Sequence, residues 1–167
     1  MSAKVVRILG VDPGSRITGY GVIATEGQNI GFIACGTIRT THEKDFSRRL
    51  SVIFNGLNEV ILTHKPEVAA IEDVFVDRNP RSALKLGHAR GAAIVAIMQH
   101  SMEAFDYTAR KVKQAISGYG QADKKQVQHM VKVLLELEKS PSSDAADALA
   151  VAICHAHHLR YGERLNC

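Results

Sequence analysis

The stretch ILGVDPGSRITGYG, residues 8–21, decides how the rest of the chain is read. An apolar run from Val5 to Val11, broken only by Arg7, ends in a single carboxylate at Asp12. Asp12-Pro13-Gly14-Ser15 is then turn chemistry: proline fixes φ, glycine permits positive φ, and the Asp and Ser side chains bond nearby backbone. A second run from Tyr20 to Ala24 follows, so the pattern is strand, tight loop, strand. This places Asp12 at the end of a strand central to a sheet. An aspartate before a turn often does no more than shape that turn. Its meaning here depends on whether other carboxylates gather at the same edge.

Outward from this stretch, Glu26-Gly27-Gln28-Asn29 separates the second strand from a third over residues 30–38, which makes a three-strand meander. The period then changes. Phe46, Leu50, Ile53, Phe54, Leu57, Val60 and Ile61 recur at helical spacing, which predicts a helix over 46–63, stopped at Lys65-Pro66. Residues 68–71 are a short apolar strand ending in Glu72-Asp73. A polar loop with Asp77, Arg78 and Asn79 leads to a helix over 81–99, whose Gly87, Gly91 and alanines suit close packing on a sheet or a partner helix. Residues 104–108 read as a fifth strand, and a short helix runs from Arg110 to about Gly118. Asp123 and Gln126 form a capping box for a helix with the apolar face Val127, Met130, Val131, Leu134 and Leu135. Ser140-Pro141-Ser142-Ser143 opens the last helix, with Pro near its first turn and an end at about Leu159. A meander followed by alternating helices and strands predicts one α/β domain over 1–167 with a sheet of mixed direction.

Bulk properties narrow the class. Hydrophobic content of 46% and charged content of 23% are those of a globular protein, with an aliphatic core because there is no Trp. The net charge of +4 is compatible with a polyanionic partner. The longest largely apolar run, residues 145–154 with Asp147 inside it, is far short of the ~18 residues of a spanning helix. Cys35, Cys154 and Cys167 have no ligand or redox spacing, and with no leader sequence ahead of the first strand they predict reduced thiols in a cytoplasmic protein.

Four carboxylates then stand out. Asp12 and Glu72 end two predicted strands, and neighbouring strands would point both out of one sheet edge, where α/β folds place their sites. Asp144 and Asp147 lie three apart in DAADALAVAI, at the mouth of a helix that is otherwise small and apolar. A helix N-terminus favours one such acid through its dipole, but explains a second on a core helix less well. Divalent cations relieve the repulsion within such a group. Mg²⁺ prefers a few carboxylates with waters and substrate phosphate oxygens, and a pair of ions suits phosphodiester hydrolysis.

The segments VDPGSRITGYGVI, AIEDVF, SALKLGHARG, KQVQHMV and DAADALAVAI, in this order and spacing, resemble the RuvC family of crossover junction endodeoxyribonucleases over residues 8–155. The resemblance implies a ribonuclease-H-like fold, with a five-stranded mixed sheet and helices on both faces. It further implies a homodimer that binds four-way (Holliday) DNA junctions and nicks two strands of like polarity symmetrically, in recombination and repair. Junction-migration helicase proteins are the partners it implies. Carried over by position, the catalytic and metal-binding acids are Asp12, Glu72, Asp144 and Asp147, holding two Mg²⁺ ions that Mn²⁺ can replace. Within that set Asp12 is expected to bridge both ions, Glu72 and Asp147 to complete one each, and Asp144 to position or deprotonate the attacking water. Of the lysines flanking Gly118-Tyr119-Gly120 (Lys111, Lys113, Lys124 and Lys125) the resemblance favours Lys113 and Lys124 as DNA contacts. Phe75, three residues after Glu72, matches an aromatic expected to stack on a base near the junction. The helix over 81–99 would supply much of the dimer interface.

Other readings fit less of the chain. Actin-like ATPases and sugar kinases share an Asp-x-Gly turn but need a second glycine-rich phosphate loop and a second domain. A module that holds junctions without cutting them leaves four acids unexplained, and acids weaken phosphate binding unless metals are present. Related nucleases acting on RNA or flaps share the acids but not the motif order. His155, His157 and His158 are expected in the last turn of the final helix, at its C-terminus and away from the acids.

Overall fold

A computed structural model describes residues 4–73, 78–118 and 120–165. The chain runs β1 (Val6–Asp12), β2 (Ile17–Glu26), β3 (Asn29–Arg39), α1 (Phe46–His64), β4 (Val68–Glu72), α2 (Pro80–Gln99), β5 (Glu103–Tyr107), α3 (Ala109–Ser117), α4 (Lys124–Leu134) and α5 (Ser143–Leu165). The sheet order is β3-β2-β1-β4-β5. The meander β1-β2-β3 is antiparallel, and β4 and β5 add in parallel to β1. This is the five-stranded mixed sheet that the sequence predicts.

Side-chain alternation along the central strands sorts the core into two layers. Leu9, Val11, Val22, Ala69 and Ile71 face α1 and α2, packing with Ile53, Leu57, Ala93 and Ile97. Ile8, Ile23 and Ala70 face the other way, onto α5 with α3 and α4. Helices therefore cover both faces. Each fully buried Ile or Leu contributes roughly 1.5–3 kcal/mol of hydrophobic stabilisation.

The helix ends follow local chemistry. The Asp45 carboxylate accepts from the Ser47 N–H at the start of α1, and Lys65 closes that helix in the left-handed region at φ 49°. Asn79 caps α2 with Pro80 at its first position, and the Asp123–Gln126 capping box forms at α4. The last helix differs from expectation at its far end. Ser142 Oγ accepts from the Ala145 N–H, which sets Pro141 just ahead of the first turn, near where it was expected. The helix runs on to Leu165, however, and Arg160 donates to the Gln28 carbonyl at 2.7 Å beyond the end of β2.

Two glycines set how close α5 comes to the sheet. A Cβ on Gly10 would stand 2.0 Å from the Ala148 carbonyl oxygen, and one on Gly19 would stand 2.1 Å from that of Asp144. The absence of side chains at these points lets the helix backbone rest on β1 and β2, and so delivers the Asp144–Asp147 turn to the end of β1. In α2 the glycines behave otherwise. A Cβ on Gly87 or Gly91 would meet nothing, because Ala89, Ala93, Ala96 and Ile97 make the inward face.

Candidate active site

β1 and β4 run in parallel with Val11 opposite Ile71, so each strand delivers its terminal acid, Asp12 and Glu72, to the same edge. α5 lies across that edge and adds Asp147. These three acids line one cavity of about 230 Å³ together with Lys113 from α3 and Lys124 from α4, over an apolar wall of Ala109, Val112, Val127 and Ala150. Asp144, one turn before Asp147, is half-buried outside that lining.

The electrostatics of the group are those of acids crowded away from water. The Asp12 carboxyl is pushed up to about 9, first by burial, then by its hydrogen bond to Glu72 and the charges of Glu72, Asp147 and Asp144. Burial likewise raises Asp147 to about 6, with Glu72 and Asp144 adding to the effect and Lys124 and Lys113 opposing it. Asp144 thus acts on both acids through its charge, and the two lysines reach Asp147 through theirs. Asp12 and Glu72 turn toward each other within hydrogen-bonding reach. Among the described residues, no three Asp, Glu, His or Cys side chains converge as a ready-made ligand set.

Two threonines that periodicity did not single out fix the turn after Asp12. Thr18, fully buried, donates through its hydroxyl to the Gly14 carbonyl at 2.9 Å and accepts from the Gly14 N–H at 3.3 Å. Thr40, equally buried at the end of β3, donates from Oγ1 to the Ser15 carbonyl at 2.6 Å, and its N–H donates to the Arg16 carbonyl at 3.0 Å.

The other expected residues divide. Lys113 and Lys124 join the acids, whereas Lys111 lines a separate cavity with Tyr107, Cys154, His157 and His158 on the other side of α3. Phe75 lies outside the described residues. His155 is not in the last turn of the helix. It is fully buried beneath β5, its Nδ1 2.7 Å from the Tyr107 hydroxyl and its ring 4.5 Å from that of Phe105, and burial lowers it to about 4. The helix extends well past it, so it belongs to the core.

The family model for crossover junction endodeoxyribonuclease RuvC matches residues 8–155, which include all four acids and both lysines. The chain belongs to the RuvC family. It is 55% identical to the RuvC of Citrifermentans bemidjiense over 90% of this chain and 92% of that relative. With the RuvC of Legionella pneumophila the identity is 51%, over 90% and 86%. Thermus thermophilus RuvC, solved in complex with a Holliday junction substrate, superposes with a TM-score of 0.88 at 34% identity, covering 94% of this chain and 96% of that one. The ribonuclease-H-like architecture expected of RuvC proteins is thus present throughout. Among the described residues no helix is long and apolar enough to cross a membrane.

Proposed function

We propose that this chain is a structure-selective endonuclease that resolves four-way DNA junctions by symmetric, metal-dependent hydrolysis in recombination and repair. The observation that carries the reading is the meeting of Asp12, Glu72 and Asp147 with Lys113 and Lys124 in one cavity, in a chain of this family. The lysines bind and orient the phosphates of the strand to be cut, and the apolar wall excludes bulk water behind them.

A buried acid cluster suits divalent ions by its donor chemistry. Burial and three neighbouring acids raise the Asp12 carboxyl, a repulsion that a cation would relieve, and no ion pair to a Lys or Arg neutralises it among the described residues. Asp12, Glu72 and Asp147 would hold two Mg²⁺ ions, or Mn²⁺ in their place, after Asp12 and Glu72 part, with Asp144 beside them. Such ions supply an activated water and stabilise the leaving oxygen of a phosphodiester. Asp144, outside the cavity lining but electrostatically in contact with it, suits the positioning of that water.

The exposed face of α2 supports a homodimer. Leu84, Val95 and Met98 are more than half exposed on the same helix face as Gly87 and Gly91, whose Cβ positions are open. An apolar stripe with small residues along its middle suits a second copy of the same helix. Two copies place two sites on one junction, as paired nicks require. Junction-migration helicase proteins and a cytoplasmic setting complete the proposal, supported by family membership. Asp12→Asn is the direct test: it should reduce nicking in Mg²⁺ by roughly 100-fold or more while the protein folds normally, and full activity in that variant would refute the acid assignment.

A further inference from the structure

Resting on the junction-cutting reading, we propose that the chain grips the DNA backbone on a second side of the acids, through Arg39, Lys44 and Arg48 at the end of β3 and the start of α1. Asp12 pairs with Gly19, and Ile17, two residues further out along the antiparallel β2, pairs with Arg39. Arg39 therefore emerges from the same sheet edge as Asp12, two strands away, at a backbone separation of about 12 Å from strand spacing and rise. α3 and α4, with Lys113 and Lys124, follow β5 at the other end of the sheet. The acids lie between the two sets of cations.

This segment is tied to the catalytic turn. The buried Thr40 bonds to the Ser15 and Arg16 carbonyls, and the Glu43 N–H bonds back to the Thr40 carbonyl at 3.0 Å, so the chain leaving β3 is held against the loop that follows Asp12. Residues 39–49 and Arg16 contain five Lys or Arg against Glu43 and Asp45, a net +3 in a chain whose total is +4. Asp45 is engaged in capping α1, and Arg49 donates to the Glu43 carbonyl. Arg16, Arg39, Lys44 and Arg48 are exposed, and none takes part in the ion pairs found among the described residues, which join Lys4 to Glu67 and Arg90 to Asp73 and Asp106. Exposed cations without acidic partners bind phosphates with little competition from their own protein. Spread along a strand end and a helix start, they track a backbone and position it without reading bases. The partner is the sugar-phosphate backbone of a duplex arm leaving the cleavage point.

The test is binding of a labelled immobile four-way junction, beside a linear duplex of the same sequence, in EDTA between 50 and 200 mM salt. It compares the unmodified chain with Arg39→Gln/Lys44→Gln/Arg48→Gln, Lys44→Gln alone, and Lys4→Gln at the far end of the sheet. Losing three phosphate contacts should flatten the log–log salt slope by about 2.7, so that the triple variant loses roughly 40-fold less affinity across that range. Lys44→Gln, which changes one exposed side chain, should flatten it by about 0.9, and Lys4→Gln should leave it unchanged. An unmodified slope in both the triple and Lys44→Gln variants, with the parent chain binding tightly, would overturn the second grip and leave the junction reading standing. A parent chain that shows no preference for junction over duplex would instead overturn the junction reading itself.

Discussion

Asp12 and Glu72 end adjacent parallel strands, and their carboxyl groups are hydrogen-bonded to each other, with no ion pair to a cationic side chain among the described residues. Asp12 stands at about 9 in the folded chain against an ordinary 3.8. A carboxyl raised on folding stabilises below its unfolded value, and that stability is lost as pH rises through the folded one. Without divalent ions the protein should thus lose stability between about pH 4 and 9, by up to about tenfold in the folding constant per pH unit. Asp12→Asn should remove this slope and melt higher than the parent in EDTA at neutral pH. Added Mg²⁺ should raise the parent's melting temperature but not the variant's. Thermal melts with and without Mg²⁺ check both.

The contact of α5 with the sheet gives a second prediction. Gly19→Ala places a Cβ on the Asp144 carbonyl oxygen, a backbone atom that yields only if the helix moves. Overpacking of this kind costs roughly 1–3 kcal/mol or more, read from denaturant midpoints. Because the displaced turn carries Asp144 and Asp147, nicking should fall further than the folded fraction does, with junction affinity in EDTA near that of the parent.

His155 predicts an acid limit. Burial and the nearby His158 hold it at about 4, below its ordinary 6.5. A base depressed on folding stabilises fully above its unfolded value, so this contribution should drain away as pH falls from about 6.5 to 4. His155→Phe should show a shallower acid slope in that window. It should also lose roughly 1–3 kcal/mol at neutral pH, because the buried Tyr107 hydroxyl is left without its partner. Urea titrations at several pH values separate the two effects.

These cases show what the sequence made legible. The helical spacing of Phe46 to Ile61 and the alternation in the meander were enough to predict the elements and the mixed sheet, because both periods report burial on one face. The four acids were visible because a carboxylate at a strand end or on an apolar helix has no packing reason to be there. His155 was misplaced because the helix, expected to end at about Leu159, runs on to Leu165 and packs this turn against Phe105 and Tyr107 of β5. The glycines of α2 resemble those of β1 and β2 in sequence, yet only the latter touch backbone. Arg39, Lys44 and Arg48 gain meaning only from the register that sets β3 beside the Asp12 edge.

The exposed stripe on α2 gives the dimer its test. Val95→Asp buries a charge at the proposed interface while facing solvent in the isolated chain, where Val95 is 56% exposed. Sedimentation equilibrium should show the parent as a dimer and the variant as a folded monomer. The monomer should still bind DNA but no longer make paired nicks.

The most direct measurement is nicking of a labelled, immobile four-way junction beside a linear duplex of the same sequence, with and without Mg²⁺. We expect paired, symmetric nicks in the junction alone, only with metal, and none from Asp12→Asn. Tight junction binding without nicks in Mg²⁺ or Mn²⁺, across several junction sequences, would contradict the nuclease reading and leave a binding module whose four acids serve another purpose.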